Sequence, residues 1–187
     1  MKRVGLFGGT FDPPHLGHVA AISVAWQSGR FDHVLVTVAG DPYEKSNDRA
    51  VSPASERLAM AHAAFGDLEG VELSDREIQR SGPTYTIDTV RELCAEGCTV
   101  ELLVGADAAD RIDQWRDADA LATMVTVGIF PRDDRFVQLA TRWRSHTFQM
   151  TPVDLSSSSL RDLDPSDPAV TASLPAAVLP LFRKTSR

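Results

Sequence analysis

The chain is poor in cysteine, in positive charge and in long apolar runs, and each shortage removes a class of protein. Its 187 residues include two cysteines, Cys94 and Cys98. They stand four apart, with neither C-x-x-C spacing nor a second pair of metal ligands nearby. A disulfide framework, a thioredoxin-like redox pair and a zinc site are therefore set aside, and reduced thiols in a cytoplasmic protein are expected. No run approaches ~18 apolar residues, so no transmembrane helix and no membrane partner are expected. The basic start Met1-Lys2-Arg3 precedes only a short apolar run, which reads as a first strand rather than a signal peptide. A net charge of −7 disfavours a nucleic-acid binder. It also sets a problem: a polyphosphate ligand would meet a repulsive background, to be overcome locally by named cations and helix N-termini.

Strand-like and helix-like patterns alternate along the chain. Apolar, β-branched runs occupy residues 2–7, 33–38, 71–73, 99–104 and 124–130, with 147–151 a candidate edge strand. Helical periodicity covers 16–29, with Val19, Ile22, Ser23 and Trp26 on one side. It covers 53–65, with Leu58, Ala61 and Phe65 inward, and 86–96, with Gly97 as its stop. This alternation predicts an α/β fold, a Rossmann-like doubly wound parallel sheet with helices on both faces. Ligands of such sheets sit beyond the carboxyl ends of the strands, at the switch point. Residues 162–175 read as a loop, 175–182 as a last short helix and 183–187 as a frayed tail. Neither an internal repeat nor a low-complexity block is present. The length predicts a single domain over 1–187, with a short helical and loop segment from about 156.

The densest signal is GGTFDPPHLGH, residues 8–18, at the seam between the first strand and the first helix. Gly8 and Gly9 are expected to form a tight turn there and to let backbone N–H groups approach a ligand. Neither G-x-x-x-x-G-K-[ST] nor G-x-G-x-x-G is present. Pro14 stiffens the approach to a helix beginning near His15 or Leu16, whose first turn then carries His15 and His18 on one face. Metal ligation would want further ligands, and none is obvious. A purely structural pair leaves the glycines and prolines unexplained. Phosphate binding by imidazoles at a helix start accounts for the whole stretch.

GGTFDPPHLGH resembles the G-x-F-x-P-x-H-x-G-H signature of the nucleotidyltransferase superfamily, and the chain looks most like the bacterial nicotinate-nucleotide adenylyltransferases. Further stations support the resemblance. VAGDPYEK is similar to the segment that places a lysine, here Lys45, on substrate phosphates, although Glu44 stands where the family has histidine. In SGPTYTIDT, the resemblance implies that donors of Thr84, Tyr85 and Thr86 meet a nicotinate ring; a helix cap by Thr84 or Thr86 would use the same groups. In LLVGADAADRIDQW it implies that Gly105 and Asp107 meet the adenosine, with Asp107 accepting from ribose hydroxyls, and that Trp115 stacks on the pyridine. Arg132 of IFPR would lie near the nucleotide. LSSSSLR resembles the second signature, so Ser156, Ser157 and Ser158 would open a helix that holds the triphosphate, with Arg161 reaching its β- or γ-oxygens. Thr10 and Phe11 join Gly8 and Gly9 on the ATP side. After residue 163 the match fades, and Pro180 is expected to interrupt the closing helix.

The implied reaction joins ATP and nicotinate mononucleotide into the deamido dinucleotide with release of pyrophosphate. Positioning and electrostatics should carry it. His18 is expected at the α-phosphate with His15 close to it, Lys45 and Arg161 along the remaining phosphates, and Mg²⁺ held by the ATP phosphates rather than by a protein site. Nicotinamide mononucleotide or phosphopantetheine as acceptor, a cytidylyltransferase, and a non-catalytic nucleotide sensor are the competing readings. The resemblance leaves a homo-oligomer open.

Overall fold

The computed structural model describes residues 1–42, 51–132 and 137–185. Six strands, β1 (Lys2–Gly9), β2 (His33–Val38), β3 (Val71–Ser74), β4 (Cys98–Gly105), β5 (Val125–Phe130) and β6 (Arg144–Thr147), form one sheet in the order β3-β2-β1-β4-β5-β6. Every neighbouring pair is parallel. The inner strands are almost uninterrupted apolar runs because both faces are covered, as parallel sheets require. Residue by residue they alternate between two cores. Leu6 and Leu102 join a cluster with Ile87, Val90 and Leu121. Phe7 and Leu103 join the opposite cluster with Ile22, Ala25 and Phe65. Full burial of a side chain such as Ile22 or Phe65 contributes about 2 kcal/mol.

The first cluster draws on α4 (Thr86–Ala95) and α6 (Ala118–Met124), the second on α1 (Leu16–Gln27) and α2 (Ala54–Phe65). Between them come two short helices, α3 (Arg76–Gln79) and α5 (Ala106–Ala109), and a 3₁₀ turn at Ile112–Gln114. Helices thus cover both faces, as the alternation predicted. The chain leaves β3 at one edge and returns to β4 beside β1. The carboxyl ends of β1 and β4 therefore diverge, which opens a crevice.

Three expectations need correction. The edge strand is Arg144–Thr147, not 147–151. Phe148 and Met150, beyond its end, serve packing instead, and Phe148 stacks on Phe130 at 4.8 Å. The expected loop 162–175 contains α8 (Pro168–Ser173), capped by the Asp167 carboxylate and started by a proline whose missing N–H costs nothing there. The last helix, α9 (Leu179–Thr185), runs later than expected and reaches into the supposed frayed tail. Pro180 does not interrupt it, because it falls in the first turn, where no intrahelical N–H bond is required. Val170, Leu174, Val178 and Phe182 pack with Met60 of α2 and with Leu160, which anchors the segment.

Candidate active site

Of the stretch 8–18, Gly8, Gly9 and Thr10 line the crevice, but the glycines work differently from the expectation. Gly8 and Gly9 are the last two residues of β1, paired with Thr37 and Val38, and neither has a positive φ. The left-handed residue is Phe11, with φ 50°. Its buried ring sits against Phe7, His18 and Phe65. A Cβ on Gly9 would lie 2.7 Å from that ring, so glycine is needed to admit Phe11 rather than to turn the chain. The Asp12–Pro13 peptide is cis.

His15 is the buried N-cap residue of α1, with extended backbone, and His18 is its third residue. Their rings stack at 3.7 Å between centroids. Gly17 makes this possible, since a Cβ there would come within 3.0 Å of the His15 ring. The His15 N–H donates to His18 Nδ1 at 3.1 Å. An acceptor Nδ1 carries no proton, so His18 holds its hydrogen on Nε2 and offers a neutral donor there. The positive contribution of this turn comes from the helix start, where the first N–H groups lack intrahelical acceptors.

Opposite it, α7 (Ser157–Arg161) closes over the same segment. Ser156 caps α7 by accepting from the Ser159 N–H at 3.1 Å. Ser157 Oγ donates to the Pro13 carbonyl at 2.8 Å. Arg161 donates to the Asp12 carbonyl and to Ser158 Oγ, and stands 3.7 Å from the Asp12 carboxylate. The two signatures are thus bonded to each other, and Arg161 holds the 12–13 segment.

A cavity of about 230 Å³ opens between the ends of β1 and β4. It gathers Gly8, Gly9 and Thr10 with Thr84, Tyr85, Thr86 and Trp115. Three of the residues expected on the ATP side thus share one cavity with the four expected at the mononucleotide. Thr84 does not cap α4, nor does Thr86: Tyr85 is the N-cap residue, with no side-chain cap bond. Thr84 is bound to Asp41 instead, its N–H donating at 3.0 Å to the carbonyl while its hydroxyl accepts from the Asp41 N–H at 3.1 Å. The Thr84 backbone N–H is thereby withdrawn from a ligand, while its hydroxyl, which accepts here, keeps a proton to donate, and Thr84, Tyr85 and Thr86 all line the cavity. Trp115 follows the 3₁₀ turn, whose Asp113 is pinned by the Trp143 indole N–H at 2.7 Å.

Gly105 ends β4 and precedes α5, and a Cβ there would meet no protein atom within 4 Å. Asp107 pairs with Arg132, which also approaches Asp154 at 3.6 Å. The Asp107 carboxylate is therefore engaged before any ribose reaches it. Lys45, and Glu44 beside it, lie outside the described residues. Among the described residues no group of three His, Cys, Asp or Glu could hold a metal ion. Nor, among them, is any helix long and apolar enough to cross a membrane.

Four participants escaped the sequence reading. Arg111 and Arg116 line the cavity, with Arg116 over the Tyr85 ring at 5.4 Å. Glu77 also lines it and is buried. Burial pushes its carboxyl up, against the Thr89 hydroxyl at 2.7 Å and the Arg80 guanidinium, which hold it down. Arg57, on the inner face of α2, is 1% exposed. The arginines beside Trp115 were visible in its segment; Arg57 had no local signal.

The family model described as cytidylyltransferase-like matches residues 6–163. A protein of Albidiferax ferrireducens named probable nicotinate-nucleotide adenylyltransferase is 40% identical over 71% of this chain and 67% of its own length. A protein of Methylibium petroleiphilum with the same name is 36% identical over 86% of this chain and 78% of its own. The fold is also that of the Plasmodium falciparum nicotinic acid mononucleotide adenylyltransferase complexed with NaAD. That structure has a TM-score of 0.81 and 15% identity, covering 98% of this chain and 96% of its own. By these matches the chain belongs to the cytidylyltransferase-like family, alongside bacterial proteins named nicotinate-nucleotide adenylyltransferases.

Proposed function

We propose that this protein transfers the adenylyl group of ATP to nicotinate mononucleotide, giving nicotinate adenine dinucleotide and pyrophosphate. One observation carries the reading: the carboxyl end of β1, Gly8 to Thr10, lines the same cavity as Tyr85, Thr86 and Trp115. A mononucleotide lying against Trp115 would thus bring its phosphate towards the turn that faces ATP. The names of the relatives and the NaAD-bound structural neighbour support the choice of acceptor.

In the reaction, a phosphate oxygen of the mononucleotide forms a bond to the α-phosphorus of ATP. The bond from that phosphorus to the bridging oxygen breaks, and its electron pair leaves with pyrophosphate. The attacking phosphate is already anionic near neutral pH, so no base is required to create it. His18 Nε2–H and the start of α1 would donate to the α-phosphate as charge builds on it. Ser158 and the start of α7 would hold the outer phosphates, with Arg161 and Lys45. Mg²⁺ belongs to the substrate in this reading and neutralises the phosphates as MgATP. The uncapped start of α4, with Arg116 at its side, suits the carboxylate of a nicotinate ring.

The test is pyrophosphate release from ATP with nicotinate mononucleotide, nicotinamide mononucleotide and phosphopantetheine offered separately. Release with the first well above the others is expected. Preference for either alternative would change the acceptor, and no release with any would point to a nucleotide sensor.

A further inference from the structure

A fully buried arginine on the inner face of a helix needs a reason, because an uncompensated charge there is costly. Arg57 resolves its own burial through four backbone carbonyls. Its Nε donates to Ser52 at 2.8 Å, one terminal nitrogen to Thr10 at 3.0 Å and Ala39 at 2.7 Å, and the other to Gly40 at 3.1 Å. These carbonyls belong to the turn after β1, the turn after β2 and the approach to α2. All three are places where the chain has left its ladder. The guanidinium fork suits carbonyls arriving from several directions, whereas an ammonium presents its donors from one point. Burial pushes the Arg57 guanidinium down, while the Asp12 carboxylate favours its charge.

The Gly40–Asp41 peptide extends this hold across the cavity. In a trans peptide the C=O and the following N–H point in opposite directions. Here the Gly40 carbonyl accepts from Arg57, and the Asp41 N–H donates to Thr84 Oγ1 at 3.1 Å. Thr84 leads directly to the uncapped start of α4. One side chain is thus bonded to the phosphate-side turn at Thr10 and, through one further peptide, to the opposite wall.

We propose that Arg57 is a positioning residue which holds the two substrate-binding walls in register, acting on the mononucleotide wall through the Gly40–Asp41 peptide and Thr84. The inference rests on the adenylyl-transfer reading. Turnover by the unaltered enzyme tests that reading, and comparison among variants tests this one, so the two can fail separately.

The experiment compares Arg57→Lys, Arg57→Gln, Thr84→Val and Arg57→Lys with Thr84→Val in the full chain. Initial rates are taken with ATP and nicotinate mononucleotide varied in turn, below each variant's unfolding midpoint as measured by circular dichroism. Folded Arg57→Lys should lose about 10²-fold in kcat/KM for both substrates, because a misplacement of ~1 Å between reacting groups costs about that much. Arg57→Gln should behave similarly. Thr84→Val should raise the KM for the mononucleotide and leave that for ATP unchanged. Adding it to Arg57→Lys should raise the mononucleotide KM no further, since the link is already broken. Folded Arg57 variants with unaltered kinetics, or multiplicative effects of the two changes, would overturn the proposal. So would failure of both single Arg57 variants to fold, which would make the residue a matter of stability alone.

Discussion

The two sides of the crevice are built on different principles. On the β1 side, Asp12 is 1% exposed and accepts from the Ser52 N–H at 3.0 Å, with Arg57 and Arg161 nearby. On the β4 side, Asp107 and Arg132 make an ion pair with side chains 45% and 35% exposed. Arg116, at 64%, reaches across to Tyr85 from the open. The buried side holds its groups in place before any ligand arrives, which is what transition-state stabilisation requires. The exposed side consists of long side chains screened by water, which suits adjustable contacts to a sugar or ring and contributes little to rigidity. Rigid, buried groups and mobile, exposed ones are thus kept apart.

Mutations should separate the two sides in a definite order. The largest effect is expected from Asp12→Ala, which leaves Arg57 and Arg161 without their carboxylate and the Ser52 N–H without an acceptor. Losing one member of a buried charge network costs about 3–5 kcal/mol. Urea denaturation measures it, and a loss under about 1 kcal/mol would mean the network is not the anchor of this side. Next comes His18→Ala, expected to lower kcat by about 10²–10³-fold with little change in the KM for ATP. Steady-state pyrophosphate release reads both constants; an unchanged kcat would remove His18 from the chemistry. Trp115→Ala should weaken mononucleotide binding by roughly tenfold, from lost ring contact and buried area, and spare ATP. Separate calorimetric titrations distinguish that from a loss shared by both ligands, which would place Trp115 in the fold instead. The smallest effect belongs to Arg132→Met. Removing its half-exposed pair should change stability by less than about 1 kcal/mol, and less still in high salt. A larger, salt-independent loss would show that the β4 side is as rigid as its counterpart.

Much of this was legible along the chain. The inner strands and α1, α2 and α4 followed from apolar periodicity, because each buries a face whose spacing is fixed by its own backbone. The pairing of His15 with His18 followed from their spacing on a first turn. What failed was local reading of non-local pairing. Gly9 looked like a turn residue, but its size answers to the Phe11 ring. A helix cap by Thr84 was one local reading, but its hydroxyl accepts from the Asp41 N–H, forty-three positions earlier. The C-terminal helices were blurred because their apolar residues make sense only against Met60 of α2.

Local order in the residues was enough to determine the alternating elements, the parallel sheet and the end of it at which a phosphate would be met, since periodicity and backbone preference act over a few positions. Which charges are buried and who answers them was decided only in three dimensions. Arg57 meets Thr10 across 47 positions, and Arg161 meets Asp12 across 149. A charge leaves water only when the folded chain brings its partners to it, so no stretch of sequence carries that information alone.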